Sequence, residues 1–230
     1  MLASVAMKSA IPKRRIKPGR TPRRARYHHG NLREVLIEAT LRLVEEGGIE
    51  NVSVREAAKR AGVSPGAPFR HFPDRKALMT AVAEEATRRL RDAIVDELAK
   101  TSRRTPLQRF NALGAAYMRW ILRNPTHFQV VSNRQAIDFD GSESLRRDND
   151  EIKSIMGSLL AEAVRSGELQ QSRVETIPLA ARALAYGMAR MYVDGHFPQW
   201  GVKPGEEPKA FHAVFKLFTD SLAKKAEASA

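Results

Sequence analysis

The chain has 230 residues, enough for one large or two modest domains with proper cores, and a net charge of +13. It contains no cysteine, which excludes a disulfide framework and a thiolate metal site and fits a reducing, cytoplasmic setting. No apolar run approaches the ~20 residues that cross a bilayer, and the basic N-terminus lacks the apolar core of a secretory signal.

The charge is concentrated at the start. Within residues 1–33 stand Lys8, Lys13, Arg14, Arg15, Lys17, Arg20, Arg23, Arg24, Arg26 and Arg33, with no acidic residue, so +10 of the +13 lies there. A polyanion is the partner such a tail suits. Residues 1–26 are rich in Pro, Arg and Lys without apolar periodicity and read as a disordered arm. One reading is a solvated tail. The other sets Arg20, Arg23, Arg24 and Arg26 on a DNA backbone, where they add affinity by counterion release and little sequence information. His28 and His29 have no third metal ligand nearby and read as polar or phosphate-contacting groups.

Asn31 can cap a helix from Leu32 to about Glu46, with Leu32, Val35, Leu36, Ala39, Leu43 and Val44 on its apolar face and Gly47-Gly48 ending it. Ser53 and Glu56 form a capping box for the next helix, whose face of Val54, Ala57, Ala58 and Ala61 admits a close neighbour. Gly62 suits the left-handed residue that ends it. Ser64 as N-cap and Pro65 at the first helical position then start a second helix. That helix cannot pass Phe72, because Pro73 follows, and Pro68 leaves the Ser64 carbonyl without its N–H partner, so it is short and loosely wound.

Two short helices joined by a tight turn make a helix-turn-helix, whose second helix enters a DNA major groove. Ser53, Arg55, Ser64, Pro65, Gly66, Ala67, Arg70, His71 and Arg75 are the candidate DNA-binding residues. Gly66 and Ala67 are small enough to let the backbone approach base edges. Arg70 suits a bidentate contact to guanine or a phosphate clamp. Val63, Phe69 and Phe72 read as hydrophobic pins.

Asp74 caps a long helix to about Lys100, with Leu78, Val82, Leu90, Ile94 and Leu98 apolar and Arg88, Arg89 and Arg91 on a solvated face. Ser102 to Thr105 is a polar linker. Thr105-Pro106-Leu107-Gln108 combines a capping box with proline at the first position and starts a helix through Phe110, Leu113, Tyr117, Trp120 and Ile121 to about Arg123. Asn124-Pro125 restarts another, containing Phe128, Val130 and Val131. A loop spans Asp138 to Ser144, a helix runs from Leu145 to about Arg165, and Gly167 ends it. Ser172 and Glu175 begin a helix to about Val193 that carries the small residues Ala180, Ala181, Ala183, Ala185, Gly187 and Ala189. Glu206 to about Lys224 is the last helix. These two terminal helices each need a partner and suggest a four-helix bundle made with a second subunit.

The segment YHHGNLREVLIEATLRLVEEGGIENVSVREAAKRAGVSPGAPFRHFPDRKALMTAV, residues 27–82, resembles the DNA-binding domain of TetR-family transcriptional regulators. The remainder is similar to the ligand-binding and dimerisation domain of the subgroup whose penultimate helix carries a Trp-His-Gly motif. The triplet here reads Ala185-Tyr186-Gly187 and keeps only the glycine. The resemblance implies an all-α fold with a basic arm at 1–26, a helix-turn-helix domain at 27–80 and a helical ligand-binding and dimerisation domain at 81–230. It implies double-stranded DNA, a second copy of the chain and a small-molecule effector as partners, without a cofactor or a membrane. The long helix becomes the rod connecting the domains. Where the family has a tyrosine reaching a phosphate, this chain has Phe69, which lacks the hydroxyl. Where it has a lysine at the next helix start, this chain has Arg75, which keeps a charge near a phosphate.

No GxSxG elbow, Walker loop, dinucleotide fingerprint or HExxH is present. His127, Ser132 and Asp138 fall on ordinary helix and loop positions, and nothing in their spacing makes a triad. The chain does not read as an enzyme. Two readings stand for the aromatic and methionine residues of the second domain: plain core, or an apolar pocket in which Tyr117, Trp120, His127, Phe128, Met156 and Tyr186 hold a small apolar or aromatic effector. Two functional readings stand as well. The first is a repressor released from its operator by that effector. The alternative is an architectural DNA binder with little sequence preference and no effector.

Overall fold

A computed structural model describes residues 32–170 and 175–223. Among them lie eight α-helices: α1 (Leu32–Gly47), α2 (Val54–Ala61), α3 (Arg75–Lys100), α4 (Pro106–Arg123), α5 (Pro125–Ser132), α6 (Glu143–Arg165), α7 (Ile177–Val193) and α8 (Glu207–Leu222). No strand occurs among the described residues, apart from one isolated antiparallel bridge between Leu169 and Ala223. The fold is all-α with an N-terminal helix-turn-helix. The arm residues Arg20, Arg23, Arg24 and Arg26, together with His28, His29, Asn31, Ser172 and Lys224, lie outside the described residues.

The helix starts follow the capping chemistry. Ser53 Oγ accepts from the Glu56 backbone N–H at 3.1 Å, Asp74 Oδ1 from Ala77 at 2.7 Å, and Ser142 Oγ from Leu145 at 3.2 Å. Thr105 and Gln108 satisfy each other in both directions, and Pro106 follows at the first helical position. Gly62 ends α2 at φ 70°, a left-handed conformation that other residues adopt only with strain. The cap at Ser142 starts α6 at Glu143, two residues earlier than the apolar pattern indicated.

The second element of the helix-turn-helix departs from expectation. Ser64 does not cap an α-helix; residues 65 and 66 form a turn, and only Ala67–Arg70 is helical, as a 3₁₀ turn. The Ala67 N–H bonds the Ser64 carbonyl at 3.0 Å, an i→i+3 closure. Pro68 has no N–H to offer the same carbonyl, so the α-helical ladder cannot begin at Ser64.

Two apolar cores divide the described residues. The first joins Leu36, Ile37 and Val44 of α1 with Val54 and Ala57 of α2, Phe72, and Leu78, Met79 and Val82 of α3. Val130, Ile137 and Leu145 close it from α5, the following loop and the start of α6. The second gathers Leu90, Ile94 and Leu98 of α3, Phe110, Tyr117 and Ile121 of α4, Leu159 and Leu160 of α6, Met188 of α7, and Phe211 and Phe215 of α8. Helix α3 therefore supplies both cores. Complete burial of each large aliphatic residue contributes about 1.5–3 kcal/mol, so the ends of α3 are held separately and strongly.

At the crossing of α4 with α8, a Cβ on Gly114 would overlap the Phe215 ring. Phe215 is itself only 4% exposed and has little room to yield. Gly114→Leu is therefore expected to lower the unfolding free energy by about 1–3 kcal/mol through overpacking, measured as the denaturant midpoint at unchanged m-value.

Arg91 of α3 does not belong to a solvated face. It donates to Asp148 of α6 at 3.0 Å, also reaching Asp92 and Glu151, and the Asp148 side chain is only 2% exposed. Arg88 and Arg89 are exposed, as expected, and pair with Glu85.

Candidate nucleic-acid interface and candidate effector cavity

The helix-turn-helix presents a short, polar and partly basic surface. Ser64, Pro65, Gly66, Arg70 and His71 are exposed, and Ala67 is half-buried where the 3₁₀ turn begins. Arg55 is exposed on the first turn of α2, while half-buried Ser53 spends its hydroxyl on capping. Neighbouring cations are engaged: Lys59 pairs with Glu56 and Arg60 with Glu46. Arg55 and Arg70 have no ion pair or hydrogen bond among the described residues. The Arg55 and Arg70 guanidinium groups, each on an exposed residue, are thus open to an anion.

Two residues of this region behave otherwise than expected. Phe69 is not a pin; it is 45% exposed, because the 3₁₀ turn buries Pro68 and Phe72 instead. Arg75 turns inward. Its Nε donates to the Val52 carbonyl at 2.9 Å and a terminal nitrogen to the Ile49 carbonyl at 2.7 Å. It thereby ties the start of α3 to the connection between α1 and α2. Arg75→Ala is expected to lower stability by about 1.5–3 kcal/mol, the range for hydrogen bonds to a charged group. A phosphate-contacting role would instead leave the unfolding midpoint unchanged and weaken DNA binding alone.

Between the helices of the second core lie two adjoining cavities. The first, about 260 Å³, is walled by Phe110, Leu113, Met156, Ala185 and Phe215, among others. The second, about 340 Å³, is walled by Leu90, Trp120, Ile121, Phe128, Arg134 and Tyr186, with Ala86 and Thr87 of α3 on one side. Tyr117, Asn149, Ile152 and Arg182 line both. The Arg182 guanidinium donates to the Tyr117 hydroxyl at 3.2 Å and lies over the Tyr117 and Tyr186 rings. Burial holds the Tyr117 phenol above its ordinary range, against the pull of Arg182. Thr87 Oγ1 is buried with no hydrogen-bond partner among the described residues.

Of the effector candidates, Tyr117, Trp120, Phe128, Met156 and Tyr186 therefore line these cavities, and His127 does not. His127 packs edge-on to Trp120, ring centroids 5.8 Å apart, and its buried Nε2 has no partner among the described residues. The spacing of α5 turns Phe128 inward and leaves its neighbour beside Trp120. Arg134 and Arg182 were missed by pattern reading. Arg182 carried a signal: it is the single charged residue in the run from Ile177 to Met188.

Burial, and next the Arg89 charge, hold the His127 imidazole below its ordinary 6.5. The unfolded chain then takes up a proton before the folded one as pH falls. Stability is expected to be intact above pH ~6.5 and to decline as pH drops toward the folded value. Denaturant midpoints across that window should flatten in His127→Gln; an unchanged slope would remove His127 as its source.

Comparison with known proteins agrees with this architecture. Residues 36–82 match the model of bacterial regulatory proteins of the tetR family, and residues 110–222 match the tetracyclin repressor-like C-terminal domain. The HTH-type transcriptional repressor KstR of Mycolicibacterium smegmatis is 31% identical over 136 residues, 59% of this chain and 64% of that protein. This chain thus spans just under two thirds of KstR's own length. The HTH-type transcriptional regulator BetI of Escherichia coli strain SE11 is 28% identical over 185 residues, 72% of this chain and 94% of that protein. A solved Rhodococcus sp. RHA1 protein described as of unknown function superposes with a TM-score of 0.71 at 26% identity, covering 87% of this chain and all of that one. With a helix-turn-helix ahead of a helical C-terminal domain, and both matched by the family's models, the chain belongs to the TetR family of DNA-binding transcriptional regulators.

Proposed function

We propose that this regulator is a homodimeric repressor whose operator binding is released by a small, mostly apolar effector in the joined cavities. The observation that carries the reading is α3. Its first turn, through Leu78, is packed in the helix-turn-helix core, and Ala86, Thr87 and Leu90, further along the same helix, wall the second cavity. A ligand that shifts α3 there moves the recognition element with it. The ligand must bind the DNA-incompetent arrangement better, since only differential affinity displaces the equilibrium.

Exposed apolar groups on the last two helices support a second copy of the chain as partner. Leu179 of α7 is 74% exposed and Leu217 of α8 is 72% exposed, beside small residues such as Ala183 and Ala213. A two-fold dimer sets two recognition elements ~34–36 Å apart, one DNA turn. Residues 27–80 then form the DNA-binding part and residues 81–230 the effector and dimer part, acting on double-stranded DNA in the cytoplasm. The name of KstR as a repressor favours repression here.

The test is binding to DNA from upstream of the chain's own gene against scrambled DNA at two salt concentrations. A preference that persists at high salt is expected from base readout by Ser64 to His71. Equal, salt-sensitive binding to both would favour an architectural binder relying on Arg20, Arg23, Arg24 and Arg26. Arg70→Ala is expected to reduce discrimination by about 1–3 kcal/mol, whereas deletion of residues 1–26 weakens binding to every sequence alike.

A further inference from the structure

Two cations at the second cavity are in no ion pair among the described residues, although Asp140 acts on Arg134 from a distance. Arg134 makes no hydrogen bond or ion pair among the described residues; its guanidinium lies over the Phe139 ring at 3.4 Å. Among the described residues Arg182 donates only to the neutral Tyr117 hydroxyl, and its guanidinium carbon lies 5.6 and 5.8 Å from the Tyr117 and Tyr186 ring centroids. Both are exposed residues that line the same cavity, so they stand at its mouth while Leu90, Trp120, Ile121 and Phe128 form its body. Elsewhere arginines facing other helices find carboxylates, as Arg91 does in Asp148 and Arg119 in Glu97.

We infer that the effector is an organic anion, with a carboxylate held between Arg134 and Arg182 at the mouth and an apolar body against Leu90, Trp120 and Phe128. The inference rests on the cavity being the effector site and adds the class of ligand. Two planar guanidinium groups offer forked donors that match a carboxylate, and a neutral hydroxyl cannot replace that charge-assisted pairing. A bound anion also relieves a conflict in the free protein. Partial desolvation at the cavity mouth and the nearby Arg182 charge hold the Arg134 guanidinium below its ordinary range, with Asp140 acting in the opposite direction. The Phe139 ring 3.4 Å under Arg134, and the hydrogen bond from Arg182 to the Tyr117 hydroxyl, hold the two groups near the mouth before a ligand arrives, which limits the ordering loss on binding. A cavity of about 340 Å³ lies within the ~300–1,000 Å³ of small-molecule sites, and the adjoining 260 Å³ gives a longer body somewhere to continue past Tyr117.

The experiment uses the full chain and three probes with one apolar chain and different heads: decanoate, decanol and decylammonium. Binding is followed by calorimetry below micellar concentrations, and DNA release is followed with the preferred operator fragment. Decanoate is expected to bind best. Arg134→Ala and Arg182→Ala are each expected to weaken it about tenfold or more, with partial recovery in the lysine variants, while decanol binding changes little. The inference is overturned if decanol binds as tightly as decanoate, if decylammonium binds more tightly, or if both alanine variants bind decanoate normally. Should decanol or decylammonium release the DNA while decanoate does not, the cavity remains the effector site and the anion is wrong. If none of the three binds or alters DNA affinity, both readings fail together.

Discussion

Arg91→Ala is expected to lower the unfolding free energy by about 3–5 kcal/mol, the range for breaking a buried ion pair from one side. The Asp148 carboxylate is 2% exposed and would keep only Arg147, which is 64% exposed and contributes little screening of the buried charge. The reverse change is expected to be milder. In Asp148→Asn the arginine keeps Asp92 and Glu151 and its own partial exposure, and the amide oxygen still accepts. Chemical denaturation of the two variants gives the comparison directly. Equal losses would mean that the pair is solvated and contributes as a surface bridge does. The contact also has a functional consequence. Arg91 joins α3 to α6, and Asn149 and Ile152 on α6 line both cavities. In the proposed mechanism, variants that loosen this tie should still bind effector, while effector lowers their DNA affinity less than in the parent chain.

Leu78→Ala is expected to cost about 2–5 kcal/mol, the range for a fully buried leucine in a core that relaxes only partly. Leu78 is 0% exposed and lies one turn into α3, packed in the same core as Val54, Ala57 and Phe72. The loss falls on the part of α3 that positions the 3₁₀ turn, so DNA affinity should fall with stability. Leu98→Ala, near the other end of α3 in the second core, provides the contrast. It should lower the midpoint while leaving DNA affinity close to the parent value at temperatures where the protein is folded. If both variants lost DNA binding equally at matched stability, the two cores would be acting as one cooperative unit.

Much of this was legible in the chain. Ser53, Asp74 and Thr105 cap the helices assigned to them, because a cap depends on residues three apart and on little else. Arg70 and His71 were assigned to an exposed surface and are exposed. The errors came where a partner lies far along the chain. Arg75 read as a phosphate ligand by resemblance, yet the carbonyls of Ile49 and Val52 face it across the α1–α2 connection. Phe69 read as a pin because it is aromatic, but a 3₁₀ turn advances each residue by a different angle from an α-helix and places Pro68 inside instead. Arg91 read as solvated because no neighbour in sequence reveals Asp148, 57 residues away.

By itself the sequence determined the family, the helix-turn-helix, most helix boundaries and the apolar faces, since these follow from capping, proline and glycine positions and periodicity over a few residues. Only the tertiary structure decided which charged side chains are occupied and which are open. It turned Arg75 and Arg91 inward, left Arg55 and Arg70 open, and brought Arg134 and Arg182 to one cavity mouth. The reason is physical: a charge is neutralised by whatever lies within a few ångströms, and that neighbourhood is set by helix crossings rather than by spacing along the chain.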